Sequence, residues 1–159
     1  MISTTICTGG WLVLEPWITP SLFYQFLGAS KKWGDDAPNR VAFDSYTFCT
    51  ALGPDEANKQ LRRHWKTWVT EDQIKNLKNT GVDTLRIPVG DWMYVPYEPY
   101  IGCMDGAVEE LDRVLALCQK YQINALIDIH AMKDSQVYIN VYNLVIAKMS
   151  VAENITMLQ

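Results

Sequence analysis

The feature that most constrains this chain is an apolar run, an amphipathic helix and a second apolar run in succession. Residues 82–89 (VDTLRIPV) and 123–129 (INALIDI) are rich in branched aliphatic side chains, as in strands buried on both faces. Between them, residues 105–121 place Val108, Leu111, Val114, Leu115 and Cys118 at spacings of three and four, with charged residues opposite. Two strands separated by a helix of this length form a parallel βαβ unit, because a parallel partner is reached only by a crossover.

Upstream, the run 10–15 (GWLVLE) reads as another short buried strand. Thr19 followed by Pro20 opens a helix over 20–27, since proline is tolerated where the backbone N–H has no helical partner. A polar loop is expected at 29–43, then helices over 45–53 and 54–67. Thr70 with Gln73 makes a capping box for a helix over 71–79, stopped by Gly81. The fold class is therefore α/β, as a (β/α)8 barrel with an elaborated first loop or an open doubly wound sheet. No glycine-rich loop follows a strand, which argues against a nucleotide site.

Composition excludes more than it assigns. A net charge of −4, with Arg62, Arg63, His64 and Lys66 interleaved with acids, recommends no nucleic-acid partner. No apolar run is long enough to span a bilayer, and the first ten residues lack the basic and apolar regions of a signal peptide. Cys7, Cys49, Cys103 and Cys118 lack metal-ligand spacing, so no metal or other cofactor is expected, and their pairing is not readable. Cys118 lies on the apolar helix face as a buried small hydrophobe. Six tryptophans and eight tyrosines suit stacking on sugar rings, but suit an ordinary core equally.

In parallel α/β folds the chemistry sits at the carboxyl ends of strands. The first run delivers Glu15, the second Arg86, and the third Asp128 and His130, which are two apart and so share a face. Each has a plainer reading: Glu15 as a helix cap, His130 as a structural ring, Arg86 with Asp128 as an interior ion pair.

Residues 9–23 (GGWLVLEPWITPSLF) resemble the opening signature of the fungal-type exo-β-1,3-glucanases, the glucan 1,3-β-glucosidases of glycoside hydrolase family 5. Further blocks follow in that family's order: 44–49 (DSYTFC) with 51–53; His64-Trp65 with Thr67 and 70–72; 85–90 (LRIPVG) with Trp92; 100–102; and 127–131 (IDIHA) with Ser135-Gln136. The resemblance implies a (β/α)8 barrel that hydrolyses β-1,3-glucan from its non-reducing ends with retention. Its two glutamates, acid/base and nucleophile, would stand about 5–5.5 Å apart. It implies that Glu15 hydrogen-bonds hydroxyls of the terminal glucose, that Arg86 holds the nucleophile ionised and oriented through charge-assisted bonds, and that His130 lines the same substrate-binding subsite, with Trp17 as a rim aromatic; His64 and Trp65, on the long insertion away from strand ends, read as structural. A β-1,6-glucanase, another family 5 β-glucosidase, or a non-catalytic glucan-binding product remain alternatives. The family's place is extracellular or at the cell wall.

The sequence also departs from that pattern. After Gln136 the family continues with an Asn-Gly-Phe-Asp block and later an Asn-Glu pair holding the acid/base; neither occurs here, so catalytic residues: none. Of residues 137–159, eleven are Ile, Asn, Lys, Tyr or Met, whose codons are rich in A and T, and the stretch reads as translated intron. Residues 1–8 keep β-propensity but not the family's Arg-Gly-Val-Asn run. The expected organisation is thus an atypical 1–8, barrel sequence over 9–136 and an unrelated 137–159. That is an incomplete (β/α)8 TIM barrel holding the first three strands and their helices.

Overall fold

A computed structural model of the chain describes residues 3–27 and 41–132, together with a short strand at 155–156. Most of the loop expected at 29–43, the Ser135-Gln136 block and nearly all of 137–159 lie outside the described residues.

Four parallel strands form one sheet in the order β1-β2-β3-β4: β1 Thr5–Cys7, β2 Thr84–Gly90, β3 Asn124–Ala131 and β4 Ile155–Thr156. The register sets Ile6 opposite Leu85, Cys7 opposite Arg86, and Pro88 opposite Asp128; it slips between Val89 and Gly90. β4 pairs with Ala125 and Leu126, adding a strand from a stretch whose sequence carried no element of its own.

The first strand corrects the sequence expectation. Residues 10–15 are not a strand; β1 lies earlier, and the chain turns at Gly9-Gly10, with Gly10 at φ 70°. A Cβ on Gly10 would stand 2.9 Å from Thr19 Cγ2, so the turn needs glycine for both space and conformation. The apolar run is nonetheless core, with Trp11, Leu12 and Leu14 buried. A polar side chain stands in for a ladder partner at Leu14, whose N–H donates to Ser45 Oγ at 3.0 Å, and the Trp11 indole is tied separately, its Nε1–H donating to the Trp65 carbonyl at 3.0 Å. An apolar run shows burial; it does not show which backbone conformation does the burying.

The helices follow the sequence more closely. They are α1 Pro20–Phe23, continued by a 3-10 turn over Tyr24–Phe26, α2 Ser45–Leu52, α3 Pro54–Trp68, α4 Glu71–Asn79 and α5 Ala107–Tyr121. The capping box before α4 is present: Thr70 Oγ1 accepts from Gln73 N–H, and Gln73 Oε1 accepts from Thr70 N–H at 2.8 Å. Asp44 and Thr47 make a second one before α2. α5 begins two residues later than expected, because Gly106 at φ 92° turns the chain into it.

Side chains alternate across the sheet. Leu85, Ile87, Ala125 and Ile127 face the helices and are buried with Ile74 of α4 and Leu111, Val114 and Cys118 of α5. The opposite face carries Arg86, Leu126 and Asp128, all half-buried. That face is the one a closed barrel would turn inward. Cys49 of α2 and Cys103 of the loop before α5 form a disulfide, the pairing the sequence left open. No described helix is long and apolar enough to cross a membrane.

Candidate functional site

Glu15 is placed by a turn, not by a strand end. Its carbonyl accepts from Ile18 N–H and Thr19 N–H, both at 2.9 Å, and from Thr19 Oγ1 at 3.1 Å. Its carboxylate reaches back, Oε1 accepting from Gly10 N–H at 3.0 Å; Oε2 has no hydrogen bond among the described residues. Helix α3 holds the same loop from behind. Trp68 Nε1–H donates to the Gly9 carbonyl at 3.2 Å, and His64 Nε2 lies 2.8 Å from the Gly10 carbonyl, which can only accept. His64 and Trp65 are thus structural, each gripping the segment that carries Glu15.

Arg86 projects from the middle of β2 and is anchored at both ends of its guanidinium. Nη1 donates to Cys7 Sγ at 3.2 Å, its register partner on β1, and Nη2 donates to Asp128 Oδ2 of β3. His130, one step further along β3, sets Nδ1 2.8 Å from the same Asp128 oxygen and 3.3 Å from Arg86 Nη2. The plainer sequence reading, an Arg86–Asp128 ion pair, is therefore present, and the pair is built into the candidate cluster.

Glu15, Arg86 and His130 border one cavity of about 600 Å³, with Cys7 and Thr8 beside them and Ile74 and Leu77 on its apolar side. Such a volume is in the range of about 300–1,000 Å³ usual for small-molecule sites. The cavity presents a carboxylate oxygen with no hydrogen bond among the described residues, guanidinium donors and an imidazole, a set that matches hydroxyl groups, which both donate and accept. Trp17 follows Glu15 by two residues and is 77% exposed, and it is not among the residues that line this cavity. Sequence reasoning missed Cys7. Its signal lay outside the sequence, since only the register of β1 on β2 sets it on the face of Arg86. Among the described residues, no group of three or more His, Cys, Asp or Glu is arranged to hold a metal ion.

Residues 49–155 match the family model described as cellulase (glycosyl hydrolase family 5). The chain belongs to glycosyl hydrolase family 5. It is 38% identical over 130 residues to a glucan 1,3-beta-glucosidase of Kluyveromyces lactis, covering 80% of this chain and 29% of that protein. To the glucan 1,3-beta-glucosidase of Yarrowia lipolytica it is 42% identical over 131 residues, covering 80% and 28%. The chain thus spans less than a third of the length of these curated relatives. Its fold is similar to that of rutinosidase from Aspergillus niger, with a TM-score of 0.75 at 17% identity, covering 98% of this chain and 47% of that one. The architecture is an incomplete (β/α)8 barrel, as the resemblance implied.

Proposed function

We propose that these residues form the floor of the glucose subsite of a retaining glycoside hydrolase that releases glucose from the non-reducing ends of β-1,3-glucan. The observation that carries this reading is the convergence of Glu15, Arg86 and His130 on one cavity from three separate segments. Glu15 Oε2 accepts from a sugar hydroxyl, Arg86 donates to sugar or carboxylate oxygens, and Trp17 stacks on a ring at the rim. The relatives at about 40% identity are named for this activity, which favours the β-1,3 linkage, and an extracellular or cell-wall site of action is part of the same proposal.

The 159 residues alone turn over no glucan on this reading. Retaining hydrolysis needs two carboxylates flanking one glycosidic bond. No Asn-Glu pair occurs in the sequence, and Glu15 is already tied to a backbone amide. The binding test is titration of the purified chain with laminaritriose, read by tryptophan fluorescence. Saturable binding that Glu15→Gln weakens at least fivefold supports the subsite, and a signal unaltered by that substitution overturns it. Glucose release from laminarin by the same chain would overturn the inactive half of the reading.

A further inference from the structure

We infer that Asp128 is a positioning residue that decides which nitrogen of His130 carries the proton, and so whether His130 offers the cavity an acceptor or a donor. The inference rests on the proposed subsite only for the identity of the ligand.

The deciding geometry is a competition around one nitrogen. His130 Nδ1 has two polar neighbours: Asp128 Oδ2 at 2.8 Å, and Arg86 Nη2 at 3.3 Å. A carboxylate oxygen can only accept, and a guanidinium nitrogen can only donate. The two neighbours therefore demand opposite tautomers. The carboxylate contact is the shorter, and a hydrogen bond to a charged acceptor is the stronger class. Arg86 Nη2 is itself bonded to the same Asp128 oxygen, which orients it towards the carboxylate. Asp128 thus wins: Nδ1 carries the proton and donates, leaving Nε2 bare as an acceptor.

The consequence is a defined polarity for the subsite. Arg86 presents only donors, while His130 Nε2 presents an acceptor, so the pair suits a ligand with both an oxygen to receive and a hydroxyl to give. A polyhydroxylated ring supplies both. Remove the Asp128 carboxylate and, among the described residues, the polar neighbour left to Nδ1 is a donor. The ring then has to accept there, its proton moves to Nε2, and the site loses its acceptor.

The chain has only two histidines, and the other is an internal reference. His64 Nε2 faces the Gly10 carbonyl, which can only accept, so His64 must be the Nε2–H form. A long-range proton–nitrogen correlation on the full nitrogen-15-labelled chain, at about pH 8 where histidine is ordinarily neutral, is therefore expected to show one ring of each tautomer. His64→Gln assigns them. In Asp128→Ala the His130 ring switches, so that both rings are Nε2–H, and affinity for laminaritriose falls roughly tenfold, as for one lost hydrogen bond.

Two Nε2–H rings in the unsubstituted chain would overturn the inference without any variant, which keeps the test decisive if Asp128→Ala does not fold. An unchanged His130 tautomer in a folded Asp128→Ala chain would overturn it equally. The expected tautomers without laminaritriose binding would sink the subsite reading and leave the role of Asp128 standing.

Discussion

His64 Nε2 stands 2.8 Å from the carbonyl oxygen of Gly10, joining the middle of α3 to the turn that positions Glu15. The ring is buried, and burial holds its pKa below the ordinary histidine value, partly opposed by hydrogen bonds to the backbone at Gly10 and Trp11. At a pH below the ordinary value of about 6.5, the unfolded chain binds a proton that the folded chain resists. Stability from this site is therefore complete above about pH 6.5 and is lost as pH falls towards the folded pKa. Thermal midpoints at about pH 8 and pH 5.5 should fall in that order, with a smaller drop in His64→Gln. Equal drops in the two chains would remove His64 from the account.

Gly90 and Trp92 share one space at the end of β2. A Cβ on Gly90 would lie 2.2–2.6 Å from Trp92 ring atoms, and the ring is fixed by stacking on Tyr100 with centroids 4.3 Å apart. Backbone conformation is not the cause, since φ at Gly90 is −106°. The cost of Gly90→Ala is overpacking against an immobile ring, about 1–3 kcal/mol, and urea unfolding should show it as a lower midpoint with an unchanged slope. Trp92→Leu in the same chain should recover part of the loss, and no recovery would deny that the clash is with the indole.

The Cys49–Cys103 disulfide closes a separation of 54 residues, tying α2 to the loop before α5. Loop-closure entropy for a ring of that size is worth about 4 kcal/mol at room temperature. The bond also joins segments on either side of β2. Cys49→Ala with Cys103→Ala should therefore reduce unfolding free energy by about 2–4 kcal/mol, measured by denaturant titration. A change under about 0.5 kcal/mol would mean that α2 and that loop stay together in the unfolded chain without the bond.

Much of this architecture was legible because local rules and burial agreed. In α5 the spacing of Leu111, Val114 and Cys118 leaves one face to bury, and that face joins the core with β3 and the neighbouring helices. Around Thr70 and Gln73 the cap is a contact three residues apart, so sequence alone holds both partners. The failures share one cause: they depend on contacts far along the chain. Trp11, Leu12 and Leu14 read as a strand because burial is visible in hydropathy, while the Ser45 hydroxyl that takes the Leu14 N–H and the Trp65 carbonyl that takes the Trp11 indole N–H are 31 and 54 residues away. At the site, Arg86 and His130 could be named from the strands that carry them, whereas Glu15 was named by a strand-end logic that its turn does not follow. The part of Cys7 depended on knowing the register of β1 on β2.

Cys7 and Cys118 should separate cleanly by reactivity. Cys118 is buried among α5 and sheet side chains, and burial pushes its thiol up to about 11, which starves it of thiolate at neutral pH. Cys7 is exposed at the end of the edge strand, so a reagent can reach it. N-ethylmaleimide on the folded chain should therefore add once, at Cys7, and add a second time only in denaturant, as counted by intact mass. Because Cys7 borders the same cavity as Glu15 and Arg86, laminaritriose should slow the first addition, and Cys7→Ser should abolish it. Two additions at equal rates on the folded chain would show that the α5 face is not packed on the sheet. A single addition unaffected by the sugar would separate Cys7 from the subsite.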